Sequence, residues 1–143
     1  LTAAATTHEI AAGLHGLTYT PNTTFASIGD TVTFTFYPYS HNVVQGPFSA
    51  PCTSGNNTGI YSSFIPSSSG PSNLTFSITI EDTNPIWFYC SQKAGGGHCT
   101  KGMVGVINPP PEGTNITLEN YALGAAKVAN GSYTQPGDVQ GGV

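Results

Sequence analysis

A cysteine, a histidine and a methionine occur close together in one glycine-rich segment of the chain. Cys90 is followed by His98 and then by Met103, the only methionine among 143 residues, with Gly95-Gly96-Gly97 between the first two. Soft sulfur ligands bind Cu(I), and imidazole suits copper as well, so thiolate, imidazole and thioether together are typical of a copper site. The spacing therefore predicts that one short loop between two strands supplies three copper ligands.

A second imidazole is needed to complete a trigonal copper site, and His41 can supply it. In a β-sandwich, the strand that carries this histidine can lie beside the loop that carries the other ligands. We therefore expect His41, Cys90 and His98 to bind copper in one plane, with Met103 as a weak axial ligand.

The chain has three cysteines, Cys52, Cys90 and Cys99, so at least one of them has no cysteine partner within the chain. In a secreted protein such a cysteine is a free thiol, an intermolecular bridge or a metal ligand. A bond between Cys90 and Cys99 would destroy the copper site, whereas a bond between Cys52 and Cys99 would leave Cys90 reduced. A zinc site that uses Cys99 is a further alternative, but it leaves Met103 and Cys52 without a role.

Short runs of β-branched and aromatic residues, separated by Pro and Gly, predict an all-β sandwich or barrel. Thr31 to Phe36 alternates strictly between polar and apolar residues, and Asn73 to Ile80 alternates again. Pro85 to Cys90 is apolar throughout, which is typical of a strand buried on both faces. Met103 to Ile107 is the last predicted strand, and the three prolines that begin at Pro109 cannot continue a ladder.

One segment near the C-terminus has the periodicity of a helix. Apolar residues between Thr117 and Ala129 fall on one helical face, namely Leu118, Tyr121, Ala122, Ala125 and Val128. We expect a single domain over residues 1–131, with its core at about 17–108 and an appended helix at about 117–130. The polar, glycine-rich residues 132–143 predict a flexible tail or linker.

The composition excludes several classes of partner. Charged residues make up 7% of the chain, the formal net charge is −4, and lysine and arginine together number three. That is too little positive charge for a nucleic-acid-binding surface or a polybasic membrane patch. No apolar run approaches the ~20 residues of a membrane span. No Ser-His-Asp or paired-carboxylate pattern indicates an enzyme, and the other two histidines, His8 and His15, are expected at the surface.

Five Asn-X-Ser/Thr sequons in a chain with so little charge indicate a secreted glycoprotein, although a chain rich in Ser and Thr also forms some sequons by chance. The chain shows no signal peptide, and we interpret it as a mature, processed form. The candidate glycosylation sites are Asn22, Asn56, Asn73, Asn115 and Asn130.

Several segments of the chain resemble cupredoxins, and more narrowly the phytocyanin-like cupredoxins of fungal secreted and cell-surface proteins. The resemblance covers about residues 17–108. The ordered set of four ligands is its specific part, whereas the Gly-Asp-Thr-Val strand is weak by itself. The matching segments are Gly29-Asp30-Thr31-Val32-Thr33-Phe34, His41-Asn42-Val43-Val44, Phe88-Tyr89-Cys90, Gly97-His98-Cys99 and Gly102-Met103.

The resemblance implies a Greek-key β-sandwich with a disulfide between Cys52 and Cys99. It also implies that Asn42 stabilises the metal loop and the cysteine sulfur by hydrogen bonds, and that the four matching positions bind copper. Two features depart from the pattern. Seven residues separate Cys90 from His98, more than in plant phytocyanins or plastocyanins, and a helix and a tail follow Pro111.

These features predict a secreted blue copper protein that binds one type 1 copper ion and transfers single electrons, tethered to the cell wall or surface in its precursor. We expect a monomer that meets its redox partner, a protein or a small molecule, through the His98 face. Pro47, Phe48 and Ile86 are expected either as an apolar rim or, for the last two, as core residues. The alternative is an extracellular copper-binding or copper-handling surface protein without redox cycling.

Overall fold

The computed structural model describes residues 4–143, which form two four-stranded sheets, a small two-stranded sheet and one α-helix, α1 (Leu118–Ala125). Residues 1–3, with which the predicted domain begins, lie outside the described residues. The strands are, in chain order, β1 (Thr7–Ala12), β2 (Tyr19–Thr20), β3 (Thr23–Thr24), β4 (Thr31–Phe36), β5 (Ser40–His41), β6 (Val44–Gln45), β7 (Ile65–Pro66), β8 (Thr75–Thr79), β9 (Ile86–Tyr89) and β10 (Val104–Ile107).

The first sheet has the strand order β2-β1-β4-β8. β1 runs parallel to β4, from Thr7 opposite Thr31 to Ala12 opposite Phe36, and β8 pairs antiparallel with the other edge of β4. The sheet therefore begins at Thr7, ahead of the core at about 17–108 that the sequence predicts. The segment Thr-His-Glu-Ile-Ala-Ala of β1 is poor in the aromatic and β-branched residues that mark the other long strands, so its own composition gives little sign of a strand.

The second sheet has the order β3-β10-β9-β6, and both of its faces are covered. Phe88 of β9 packs in the core between the two main sheets, whereas Trp87 and Tyr89 pack on the opposite face in a second cluster that includes Tyr121 of α1. The rings of Trp87 and Tyr121 have their centroids 5.1 Å apart. The prediction of a strand buried on both faces is confirmed, because α1 covers the face that would otherwise meet solvent.

The apolar face predicted for the helix is the face that packs on this sheet. Tyr121 and Ala125 are buried, and the remaining residues of that face, Leu118, Ala122 and Val128, are partly buried against the same cluster. α1 is nevertheless shorter than the predicted range of about 117–130. After Ala125, the backbone turns more tightly, because the amides of Lys127 and Val128 donate to carbonyls three residues earlier. Among residues 4–143, no helix is long and apolar enough to cross a bilayer.

Residues 132–143 lie against the domain instead of extending from it as a tail. The backbones of Gln140 and Tyr61 exchange two hydrogen bonds of 2.9 and 3.0 Å, and those of Val143 and Ser77 exchange two of 2.6 and 2.9 Å. Tyr133 is buried in the cluster beneath α1. Backbone hydrogen bonds require no particular side chain, so this polar, glycine-rich sequence gives no sign of them.

Candidate metal centre

Three side chains from separate parts of the chain converge at one end of the sandwich. His41 lies in β5, Cys90 directly follows β9, and His98 lies in the loop between β9 and β10. One ligating atom from each residue lies within 4.8 Å of the others. The relative exposures of His41, Cys90 and His98 are only 2%, 0% and 8%. The structure thus brings together the three residues predicted to form the plane of the site.

The spacing of the two loop ligands fits a shared metal ion. Nδ1 of His98 lies 3.6 Å from Sγ of Cys90, although seven residues separate them in the chain. Two ligands set 120° apart around one ion, at bond lengths of about 2.1 Å, are separated by about 3.6 Å. The imidazole of His41 faces that of His98, with ring centroids 5.1 Å apart.

The hydrogen bonding of His41 leaves one ring nitrogen available. Nε2 lies 3.1 Å from the carbonyl oxygen of Pro38 and donates to it, whereas Nδ1 is buried and has no hydrogen-bond partner among the described residues. A buried nitrogen without a partner costs free energy, and binding to a metal ion removes that cost. The bond to Pro38 also selects the tautomer whose lone pair lies on Nδ1. This donor set therefore fits a metal.

Both imidazoles are kept neutral. Burial, together with smaller contributions from repulsion by the nearby His41 and Lys101 side chains, lowers the pKa of His98 to about 4. Burial likewise lowers the pKa of His41, against an opposing contribution from its bond to Pro38. A metal ligand must offer a lone pair, so both histidines are in their ligating form at neutral pH.

Cys90 is a free, fully buried thiol, because the structure pairs the other two cysteines. Cys52 and Cys99 form a disulfide across 47 residues of sequence, which excludes the zinc site that needed the Cys99 sulfur. Burial raises the pKa of the Cys90 thiol to about 11, while the backbone N–H groups of Asn42 and Gln92 oppose that rise. The thiol is therefore protonated until a cation replaces its proton.

Met103 is held beside the two loop ligands by its backbone. The N–H of Cys90 donates to the Met103 carbonyl at 3.1 Å, and the N–H of Met103 donates to the His98 carbonyl at 3.1 Å. The Met103 side chain is fully buried and belongs to the same core cluster as Cys90. The residue predicted as the axial ligand thus lies beside Cys90 and His98.

Asn42 ties the residues that follow two of the ligands to each other. Its Nδ2 donates to Oγ of Ser91 at 2.7 Å, and the N–H of Ser91 donates back to its Oδ1 at 2.8 Å. Both residues are buried, and the Tyr19 hydroxyl donates to the Asn42 carbonyl at 2.6 Å. These bonds join the segment after His41 to the segment after Cys90.

Other predicted residues lie elsewhere. Phe48 is partly buried and packs on Trp87, with ring centroids 4.9 Å apart, and Ile86 is partly buried at the start of β9, at the end away from Cys90, so both pack against the core. His8 is half-buried against Asp30, at 2.8 Å, and is not the free surface residue that the sequence predicts. Short-range sequence patterns do not report such contacts, because the partners are distant in the chain.

The five sequon asparagines differ in accessibility. Asn130 is half-buried, and its Nδ2 donates to the carbonyl of Lys93 at 3.0 Å. The other four side chains are exposed, namely those of Asn22, Asn56, Asn73 and Asn115.

Comparisons with known proteins give a consistent result. No protein-family model matches the chain. Two proteins of Arthroderma benhamiae are similar to it. "Probable GPI-anchored cupredoxin-1" is 40% identical over 131 residues, which cover 92% of this chain and 64% of that protein. "Extracellular serine-rich protein" is 34% identical over 113 residues, which cover 79% of this chain and 43% of that protein. The chain therefore spans less than two thirds of the length of either relative.

A solved structure shows the same fold. The purple cupredoxin from Nitrosopumilus maritimus aligns with a TM-score of 0.52 at 18% sequence identity, covering 70% of this chain and 96% of that one.

Proposed function

We propose that this chain, which has the fold of a cupredoxin and is similar to a protein described as a probable cupredoxin, binds one type 1 copper ion and transfers single electrons. The observation that carries the proposal is the convergence of His41, Cys90 and His98 within 4.8 Å, with Nδ1 of His41 unpartnered among the described residues and the Cys90 thiol outside the disulfide. Two imidazoles and a thiolate, with Met103 as a weak axial ligand, are the ligand set of blue copper sites.

Bound copper would supply a one-electron couple between Cu(II) and Cu(I). The role of the chain is to keep the ligands in one arrangement during that change. The Asn42–Ser91 bonds join two ligand-bearing segments, and the Cys52–Cys99 disulfide anchors the residue next to His98. Ligands held by packing and by hydrogen bonds from neighbouring residues move little, so the structural reorganisation that accompanies electron transfer is small.

The redox partner is proposed to dock where His98 approaches the surface. His98 is 8% exposed, more than His41 or Cys90. Exposed apolar side chains adjoin the site in the chain: Leu14 follows a glycine that contacts His41, and Tyr39 lies two residues before His41. A small apolar surface of this kind suits the weak, transient encounters of electron-transfer proteins.

The charge around this face supports a partner that is anionic. Two of the three lysines of the chain, Lys93 and Lys101, lie in the loop that carries His98. The third, Lys127, lies next to Ala126, whose carbonyl accepts a hydrogen bond from Thr100 of that loop. All three are exposed, in a chain whose net charge is −4. A local positive patch on an acidic protein orients a negatively charged partner toward the site.

The chain is extracellular, in agreement with the descriptions of both relatives and with a disulfide, which persists in oxidising compartments. One relative is described as GPI-anchored, and we propose a comparable surface tether for the full-length protein.

The visible spectrum of the protein loaded with Cu(II) tests the proposal. We expect an intense thiolate-to-copper band near roughly 600 nm that is lost in Cys90→Ser, while Cys52 and Cys99 remain paired. Failure of the wild-type protein to bind Cu(II), or binding without this band, would refute the type 1 assignment. A band without a reversible couple in voltammetry would instead favour copper handling without redox cycling.

A further inference from the structure

The chain between Cys90 and Met103, here called the ligand loop (residues 91–102), has a sequence that favours mobility. It holds three consecutive glycines before His98, and glycine loses more conformational freedom on folding than any other residue. The hydrogen bonds within the loop join residues at most six apart in sequence, such as the bond of 2.9 Å from the His98 N–H to the Gln92 carbonyl. The Cys52–Cys99 disulfide fixes the residue after His98, and contacts from outside the loop are needed to fix the glycines before it.

The segment after α1 provides contacts on both sides of His98. Nδ2 of Asn130 donates to the carbonyl of Lys93 at 3.0 Å, five residues before the histidine. The N–H of Thr100, two residues after it, donates to the Tyr133 hydroxyl at 2.8 Å. Asn130 begins a short 3₁₀ turn, and Tyr133 directly follows that turn.

The residue directly before His98 touches the same two side chains. Gly97 has a φ of +96°, and a β-carbon placed there would lie 2.5 Å from Oδ1 of Asn130 and 2.5 Å from the Tyr133 hydroxyl oxygen. Such distances are far shorter than a van der Waals contact, so the loop backbone is packed against both groups. Tyr133 is itself buried, at 4% exposure, which fixes its ring beneath α1.

We propose that Asn130 and Tyr133 are positioning residues for His98. They hold the ligand loop so that Nδ1 of His98 stays at 3.6 Å from the Cys90 sulfur without help from a metal. In this arrangement α1 and the residues after it not only pack on the second sheet but also hold His98 in its ligating position. The consequence for copper rests on the proposed function, whereas the restraint on the loop is a property of the protein alone.

Two substitutions remove the hydrogen bonds and keep the shapes of the side chains. Asn130→Asp loses the donor to Lys93, and Tyr133→Phe loses the acceptor for Thr100. Tyr121→Phe is the matched control for the second, because the Tyr121 hydroxyl is buried in the same cluster and has no hydrogen-bond partner among the described residues. Asn73→Asp, at an exposed sequon, is the matched control for the first. Bacterial expression removes glycosylation as a variable.

The first readout is hydrogen exchange of the metal-free protein at the His98 amide, whose own acceptor is untouched by either substitution. Exchange by local opening is expected to accelerate about 2- to 10-fold in each variant, the change that the loss of one hydrogen bond produces, while core amides of β4 and both controls stay unchanged. Equal acceleration of the β4 amides would show a general loss of stability, and an unchanged His98 amide would show no restraint. Either result overturns the proposal.

The second readout is the rate at which a chelator removes Cu(II) from the loaded protein. We expect faster removal in Asn130→Asp and Tyr133→Phe than in their controls, because His98 leaves the ion more often. Unchanged removal rates in both variants would also overturn the proposal. If the wild-type protein binds no copper, the proposed function fails, and the exchange rates of the metal-free protein still decide whether the restraint exists.

Discussion

Gly13 lies against the imidazole of His41. A β-carbon at residue 13 would lie 2.3 Å from Nε2 of His41, and the backbone of Gly13 has a φ of +87°. Nε2 is the nitrogen that donates to the Pro38 carbonyl, so the glycine leaves room for the bond that orients the ring. The turn between β1 and β2 thus orients the imidazole of His41, a proposed metal ligand in β5, which the sequence alone does not indicate.

Gly13→Ala is expected to weaken copper binding by displacing His41. Changing a residue that orients a metal ligand typically costs about 10- to 100-fold in affinity, and this range is expected in a Cu(II) competition titration. Gly16→Ala is the matched control, because Gly16 has a φ of +85° and so carries the same backbone strain, while no atom of the described residues lies within 4 Å of a β-carbon placed there. Equal losses of affinity in the two variants would contradict the role of the Gly13 contact.

Asn42→Ala is expected to destabilise the fold. It leaves the N–H of Ser91 buried without its acceptor, at a cost of about 1–3 kcal/mol in the free energy of unfolding. Urea denaturation of Asn42→Ala, Ser91→Ala and the double variant measures the coupling, which should be about 0.5 kcal/mol or more. Additive effects would mean that the two side chains do not act as a pair.

Substitutions of Met103 are expected to move the reduction potential in opposite directions. Met103→Gln should lower the potential, because its amide oxygen donates more strongly to Cu(II) than the thioether does. Met103→Leu should raise it, since the weak axial donor is lost. Voltammetry of both loaded variants checks the signs, and an unchanged or raised potential in Met103→Gln would count against an axial role.

Asp30 predicts how stability depends on acid. A hydrogen bond from His8, followed by the N–H groups of Thr6 and Ser27, lowers the pKa of the Asp30 carboxyl from 3.8 to about 2. Between those two values the unfolded chain binds more protons, so this stabilisation is complete above about pH 4 and is lost as the pH falls toward 2. Asp30→Asn should therefore unfold at lower urea than the wild-type protein at pH 6, with the difference shrinking by pH 2.

His15→Gln serves as the control for that titration, because His15 is exposed and lies outside the contact. A difference between wild type and Asp30→Asn that is constant from pH 6 to pH 2 would show that the carboxylate charge does not stabilise the fold.

The lysines beside the site predict a dependence on the charge of the electron acceptor. Lys93→Gln should slow oxidation of the copper(I) protein by anionic ferricyanide about several-fold at low salt, and the effect should fade as salt screens the charge. Glu112→Gln is the control for a change of one unit of charge, because Glu112 follows the C-terminal end of β10, which lies away from the site. Stopped-flow rates across ionic strength test this, and a slower reaction with a cationic cobalt complex in Lys93→Gln would oppose it.

The sequence by itself determined the all-β class, and it set the residue types and the order of the proposed copper ligands. Residue type carries the chemistry of a site, since thiol, imidazole and thioether do not depend on the fold. Strict alternation from Thr31 to Phe36 sets which side chains of β4 are buried, because strand side chains point to opposite faces in turn. The apolar face of the helix that includes Tyr121 was likewise predicted from the sequence, because the backbone geometry of a helix sets the spacing of residues on one face.

Only the tertiary structure decided which distant residues contact the proposed ligands and the ligand loop. The contact of Gly13 with His41, the hold of Asn130 and Tyr133 on the ligand loop, and the packing of residues 132–143 all join parts of the chain that are distant in sequence. They depend on hydrogen bonds to the backbone from distant residues and on the space left where glycine has no side chain. Neither leaves a periodic or compositional pattern, so each appears only when the chain is folded.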